Sequence, residues 1–150
     1  MHNKQPFKVF FLSFALFFSN ACSESFVSSI PETSFDFQIN LNIYNELQIP
    51  GEAMYFSNGG YAGVWIINSP TLSMENNPYI AFDACCPYES SREIRIKDMD
   101  GYAQCDSCHT MYNWQIDGST IAGDNVGGLG TEPLRSYSVS KNGMMLTVFN

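Results

Sequence analysis

Four of the five cysteines lie between residues 81 and 112, in two clusters. The first cluster is the adjacent pair Cys85 and Cys86, at the end of an apolar run. The second is Cys105 and Cys108, followed directly by His109. Cysteine pairs on two neighbouring loops can bind a metal ion or an iron–sulfur cluster, form a disulfide, or fill a small core. What the chain does depends on the choice among these three.

Short apolar-alternating segments separated by Gly, Asn and Pro run through the chain after residue 34. Residues 35–43 alternate apolar and polar side chains with a period of two, which is typical of a strand with one buried face. The sequence Asn58-Gly59-Gly60 between two β-rich runs predicts a hairpin. A short charged hairpin is expected between the two cysteine clusters. Because no stretch has a convincing helical period, the sequence predicts an all-β sandwich or barrel.

The first 22 residues are typical of an export signal. Two lysines form a positive n-region, and residues 9–18 form an apolar h-region that is too short to span a bilayer. Small and polar residues then precede Cys22, an arrangement that resembles a bacterial lipobox. We therefore expect residues 1–21 to be a signal peptide and Cys22 to carry a lipid that anchors the chain to a cell-envelope membrane. The alternative is ordinary cleavage nearby, with Cys22 a spare thiol.

The remaining chain divides into a tether and a domain. Residues 22–34 are polar and Ser-rich with one proline, which predicts a flexible tether. Residues 35–150 have the length of one domain. The whole sequence has 15 acidic and 7 basic side chains, for a formal net charge of −8. An acidic surface of this kind excludes nucleic acid as a partner, and we expect an exported protein facing the periplasm or the cell surface.

The order of the motifs resembles that of the Rieske iron–sulfur family. Residues 81–88, with Cys86 at the cysteine position, align with the first cluster-binding loop of that family. Residues 105–112, with Tyr112 at an aromatic position, align with the second loop. Residues 128–139 resemble the loop that covers the cluster and the strand that follows it. The resemblance implies a Rieske-like antiparallel β-sandwich with a small cluster-binding loop subdomain of about residues 80–112.

The chain departs from the family at the ligand positions. Rieske clusters are held by two cysteines on one iron and two histidines on the other. The cysteine positions are Cys86 and Cys105 here, whereas the histidine positions hold Tyr88 and Cys108. The glycine that normally follows the second histidine is His109. The resemblance therefore implies a degenerate site.

Three interpretations of this site stay open. In the first, the three aligned thiols and one of Tyr88, His109 or Cys85 bind a [2Fe–2S] cluster, and the chain transfers electrons with an unknown redox partner. In the second, the same ligands hold a structural Zn²⁺. In the third, no metal is bound, and a disulfide ties the two loops together, with Cys85 as a possible partner. The last two would make the chain a non-redox scaffold with a binding or structural role in the cell envelope. In none of the three do we expect the chain to be an enzyme on its own.

Overall fold

The computed structural model describes residues 28–72, 77–93, 95–123 and 132–150. These residues form ten strands and one short 3₁₀ turn at Asn45–Gln48. The strands are β1 (Asp36–Asn40), β2 (Ala53–Phe56), β3 (Val64–Asn68), β4 (Tyr79–Asp83), β5 (Ile96–Asp98), β6 (Ala103–Cys105), β7 (Met111–Asn113), β8 (Ser119–Ala122), β9 (Ser136–Asn142) and β10 (Met145–Phe149). The prediction of an all-β fold is confirmed. Within the described ranges, no helix has the length and apolar character needed to span a bilayer.

The strands are arranged in two antiparallel sheets. The larger sheet has the order β1-β10-β9-β4-β3-β2, and the smaller sheet has the order β5-β6-β7-β8. Alternation along β1 buries Phe37 and Ile39, which pack with Leu146 and Val148 of β10 in the core of the larger sheet. The smaller sheet extends beyond the predicted subdomain of residues 80–112, because β8 adds a fourth strand to it.

Strand β4 lies in the middle of the larger sheet and leads to the first cysteine cluster. It pairs with β3 along its whole length, from Asn68 opposite Tyr79 to Val64 opposite Asp83. On its other side only two residues of β4 pair with β9. Since β4 ends at Asp83, the chain enters the cysteine loop directly from a central, fixed strand.

Backbone pairing also joins the two cysteine clusters to each other. Ile96 of β5 lies opposite Cys105 of β6, and Cys85 forms an isolated β-bridge with Arg95, the residue before β5. Beneath them, Trp114 is fully buried in the same apolar cluster as Cys105. The charged hairpin expected between the clusters is therefore the element that links one cysteine loop to the other.

The buried carboxylate of Asp83 accepts hydrogen bonds from three other parts of the chain. The backbone N–H groups of Tyr61 and Ala62 donate to it at 2.5 and 3.2 Å. The backbone N–H of Cys85 donates at 2.7 Å, and the hydroxyl of Tyr137 in β9 donates at 2.7 Å. One side chain thus fixes the β2–β3 loop, the start of the first cysteine loop and the last hairpin relative to one another.

We expected residues 22–34 to be a flexible tether. The described part of this segment, residues 28–34, is instead packed against the domain. Ile30 is 1% exposed and shares a small apolar cluster with Cys85. The Ser29 hydroxyl donates to the backbone oxygen of Pro87 at 2.8 Å. The predicted signal peptide of residues 1–21, Cys22 and the Gly-rich residues 124–131 lie outside the described residues, so the expectations for them stay predictions.

The Asp83→Asn substitution should lower the free energy of unfolding by about 2–3 kcal/mol, because an amide nitrogen cannot accept a hydrogen bond and at least one buried donor loses its acceptor. Urea denaturation measures this change. Asp36→Asn, at an exposed position of β1, is the matched control and should be nearly neutral. Equal losses in the two variants would contradict a special role for Asp83.

Candidate metal centre

Two loops bring three thiols together at one end of the strands of the smaller sheet. The first loop follows β4 and carries Cys86. The second connects β6 to β7, with Cys105 at its start and Cys108 within it. The Sγ atoms of these three cysteines all lie within 4.8 Å of one another, and those of Cys86 and Cys108 are 3.6 Å apart. The structure thus gathers the three thiols that the sequence singled out.

The second loop is a tight turn held by its own backbone. The N–H of His109 donates to the oxygen of Cys105 at 3.0 Å, and the N–H of Cys105 donates to the oxygen of Thr110 at 3.0 Å. His109 has a φ of +54°, in the left-handed region that glycine adopts most easily. This is the position at which the Rieske pattern has glycine, so the backbone keeps the turn even though the residue differs.

The first loop also turns back on its leading cysteine. The backbone N–H groups of Glu89 and Ser90 both donate to the oxygen of Cys86, at 3.2 and 2.9 Å. Cys86 and Cys105 are fully buried, whereas Cys108 is half-buried. Of the three sulfurs, that of Cys108 is therefore the one nearest to solvent.

Two hydroxyl groups contact the sulfurs. The Tyr112 hydroxyl lies 3.5 Å from Cys86 Sγ, and the Thr110 hydroxyl lies 3.1 Å from Cys108 Sγ. Sequence reasoning singled out Tyr112 only as an aromatic residue and did not single out Thr110. No sequence signal would have identified Thr110, because its contact with Cys108 depends on how the turn folds back.

The environment of the thiols affects their pKa values in opposite directions. Burial raises the pKa of Cys86 to about 12, although the Tyr112 hydroxyl opposes this, and burial also raises the pKa of Cys105. Burial acts on Cys108 in the same direction. Hydrogen bonds from Thr110 and from the neighbouring thiols outweigh it, so the pKa of Cys108 is lowered. The raised pKa values keep Cys86 and Cys105 as neutral thiols in the metal-free protein, so a metal ion that binds them must displace their protons.

The structure does not place Cys85 in this group. Its side chain points away from the other sulfurs, with Sγ 3.4 Å from the backbone oxygen of Ser91 and within the cluster that contains Ile30. Burial and the nearby carboxylate of Asp83 raise the pKa of Cys85 to about 12. Cys85 therefore has the environment of a small buried side chain.

The two other candidate ligands lie on the same loops. Tyr88 follows Cys86 closely and is 38% exposed. His109 is exposed, and neither of its ring nitrogens lies within 4.8 Å of all three sulfurs. The four described cysteines are all free thiols. The described residues therefore supply three converging donors, and the origin of a fourth ligand stays a prediction.

The spacing of the donors suits metal binding. Thiolates bound tetrahedrally to one Zn²⁺ at about 2.3 Å lie about 3.8 Å apart, close to the 3.6 Å between Cys86 and Cys108. A [2Fe–2S] cluster likewise takes four protein ligands, mainly thiolates. By donor chemistry the three cysteines fit either group, with three of the four positions filled.

Comparison with known proteins gives weak similarities. No family model matches the sequence, and no curated protein matches it. The structure is similar to a proposed NADH-dependent nitrite reductase small subunit from Mycobacterium tuberculosis, with 14% identity over 79% of this chain and 97% of that chain, and a TM-score of 0.44.

Two ferredoxin structures are similar to the same degree. A complex of reduced oxygenase and oxidized ferredoxin in carbazole 1,9a-dioxygenase matches at 14% identity over 67% of this chain and 90% of that chain, with a TM-score of 0.43. The Sphingomonas yanoikuyae B1 ferredoxin matches at 10% identity over 68% of this chain and 88% of that chain, with a TM-score of 0.43. With identities of 10–14% and TM-scores of 0.43–0.44, these similarities assign no family.

The Cys108→Ser substitution should weaken Zn²⁺ binding by at least about a hundredfold, because it removes one of three soft donors. Competition against a chromophoric chelator measures the affinity. The control is Cys85→Ser, which changes a neighbouring buried thiol that points away from the group and should leave the affinity unchanged. If the two variants lose affinity equally, the conclusion that Cys86, Cys105 and Cys108 together bind the metal ion is wrong.

Proposed function

We propose that the chain is an exported, lipid-anchored protein that binds a Rieske-like [2Fe–2S] cluster and transfers electrons. The observation that carries this proposal is that Cys86, Cys105 and Cys108 converge where two loops of an all-β domain meet, because these two loops are the ones that resemble the cluster-binding loops of the Rieske family. The order of the sequence motifs is that of the Rieske family. A bound cluster would supply one-electron oxidation and reduction.

The chain's own residues have distinct roles in this proposal. Cys86 and Cys105 are buried and keep water from the inner side of the centre. The Tyr112 hydroxyl lies 3.5 Å from the sulfur of Cys86 and would donate a hydrogen bond to it once that sulfur is a deprotonated ligand. Cys108 is half-buried, so the redox partner would approach from its side. Thiolate in place of imidazole adds negative charge, which lowers the reduction potential towards that of all-cysteine ferredoxins.

The membrane anchor is supported by the N-terminal sequence. A positive n-region, an apolar h-region and Cys22 after a small residue are the parts of a lipoprotein signal. With Cys22 acylated, the domain would be held at a cell-envelope membrane, where its redox or envelope partner would also be located. The acidic charge supports a partner other than nucleic acid.

A second candidate is a non-redox scaffold stabilised by one Zn²⁺. The observation that favours it is the mutual closeness of all three sulfurs, because the ligands of a single ion lie closer together than ligands on opposite irons of a cluster. Zn²⁺ would then tie the two loops together, and the domain would serve in binding or envelope structure. Oxidation of two of the thiols to a disulfide would give a metal-free form of the same scaffold.

Metal and sulfide analysis of anaerobically prepared protein separates these candidates. After incubation with iron and sulfide, a cluster gives a brown protein with visible charge-transfer bands and about two irons per chain. Cys108→Ser should remove the colour, and Cys85→Ser should keep it. One Zn²⁺ per chain without sulfide supports the scaffold instead. A colourless, metal-free protein in which these thiols are oxidised rules out both metal-bound candidates.

Labelling with palmitate tests the anchor. The full chain expressed in a bacterium should take up the label and fractionate with membranes, and Cys22→Ala should lose both properties. Cys85→Ala, a control at a buried cysteine, should keep them. Cleaved wild-type chain in the soluble fraction without label would mean that the N-terminus is an ordinary secretion signal.

A further inference from the structure

A cleft separate from the cysteine centre lies beside the start of the charged hairpin. It has a volume of about 520 Å³ and is formed by the β2–β3 loop, the segment before β1 and two arginines. The residues that line it are Thr33, Ser34, Phe35, Tyr55, Ser57, Asn58, Gly59, Gly60, Tyr61, Ala62, Gly63, Arg92 and Arg95. No acidic side chain is among these residues, although the chain has 15 acidic and only 7 basic residues.

The two arginines of the cleft differ from the third basic residue of the hairpin. Lys97, which follows them on the hairpin, forms an ion pair with Asp106. By contrast, among the described residues neither Arg92 nor Arg95 lies within ion-pair distance of a carboxylate. Glu93 and Asp106 line a neighbouring pocket together with Arg95, but neither carboxylate lies within ion-pair distance of it. The arginine pair therefore keeps a local positive charge that attracts an anion to an otherwise acidic protein.

Aromatic rings hold both guanidinium groups in position. The guanidinium of Arg92 lies 4.5 Å from the centre of the Tyr61 ring, and that of Arg95 lies 5.5 Å from the centre of the Tyr55 ring. Tyr55 is fixed in turn, because its hydroxyl donates to the backbone oxygen of Ala62 at 3.0 Å. Stacking uses the faces of the guanidinium planes and leaves their N–H edges available to a carboxylate or phosphate.

The β2–β3 loop contributes glycine and polar side chains to the lining of the cleft. Gly60 has a φ of +69°, and a Cβ at this position would lie 2.6 Å from the Asp83 carboxylate, so the loop can pass there only as glycine. The side chains of Ser57 and Asn58 line the cleft and can donate hydrogen bonds. A preformed cleft of this volume is within the range of small-molecule sites, which is about 300–1,000 Å³.

A second surface pocket shows that an arginine in a pocket is not enough to make an anion site. Arg135 lines a pocket of about 480 Å³ together with Glu32. The two side chains form an ion pair at 3.7 Å, and Arg135 also donates to the backbone oxygen of Ile30 at 3.0 Å. Glu32 and the backbone oxygen of Ile30 both bind its guanidinium, so Arg135 holds residues 28–34 in place and is less available to an anion from solvent.

We propose that the cleft of Arg92 and Arg95 binds a small multivalent anion through its carboxylate or phosphate groups. This proposal goes beyond the metal centre and does not depend on it. The cleft nevertheless adjoins that centre, because Arg95 bridges Cys85, the residue before Cys86. The same anionic groups also occur on acidic segments of proteins. The concave shape and the volume favour a free small molecule.

Calorimetric titration of the full chain with inorganic pyrophosphate and with citrate tests the site. Arg92→Gln and Arg95→Gln should each lower the affinity at least about tenfold, the usual loss for a charge-assisted hydrogen bond, and binding should weaken as salt is raised. Lys141→Gln is the matched control. It removes one positive charge that also stacks on a tyrosine, 5.7 Å from the Tyr79 ring, but outside the cleft.

Chemical-shift changes in the wild-type chain locate the site without any variant, and they should fall on the amides around Tyr61 and Arg92. No binding of either anion at millimolar concentration overturns the proposal, as does an equal loss in Lys141→Gln. If hexaglutamate bound more tightly than citrate, the ligand of the cleft would be an acidic protein segment and not a free small molecule. Cys108→Ser should still bind the anion, so this test can fail or succeed independently of the metal centre.

Discussion

The buried carboxylate of Asp83 is the interaction on which the rest of the structure depends. A charged group without access to water is stable only when its hydrogen bonds are satisfied, and here donors from three distant segments converge on it. Tyr137 belongs to the last hairpin, Tyr61 to the loop that forms the arginine cleft, and Cys85 to the first cysteine loop. Because all of them bind one side chain at the end of a central strand, none can shift alone.

The side chain of Asp83 therefore connects the proposed metal centre to the proposed anion cleft. The first cysteine loop begins directly after Asp83 and donates a backbone hydrogen bond to its carboxylate. The β2–β3 loop donates to the same carboxylate. Arg95 reaches the cysteine loop by its β-bridge to Cys85, and next to it Ile96 pairs with Cys105. The charged hairpin thus holds both cysteine loops while its arginines face the cleft. A ligand in the cleft would be close to the metal centre without touching its sulfurs.

Sequence patterns predicted the strands well where alternation was strong. Residues 35–43 contain β1, the apolar run before the first cysteines is β4, and the Asn-Gly-Gly turn lies between β2 and β3. Patterns failed for residues 28–34, since a polar, Ser-rich composition hides Ile30, whose burial depends on a cavity made by other segments. The partners of Asp83 were also not predictable, because hydrogen bonds between distant segments leave no local signal.

The sequence by itself determined the all-β fold and the small set of cysteines from which a site could be built. Only the tertiary structure decided which of them meet. Cys85 and Cys86 are neighbours in the loop that follows β4, and their side chains point in different directions. One direction leads to the pocket of Ile30, and the other leads to Cys105 and Cys108. The resemblance to the Rieske pattern favoured Cys86, but two adjacent thiols carry no local signal that separates them, and the packing of the two sheets decides which one meets the other sulfurs.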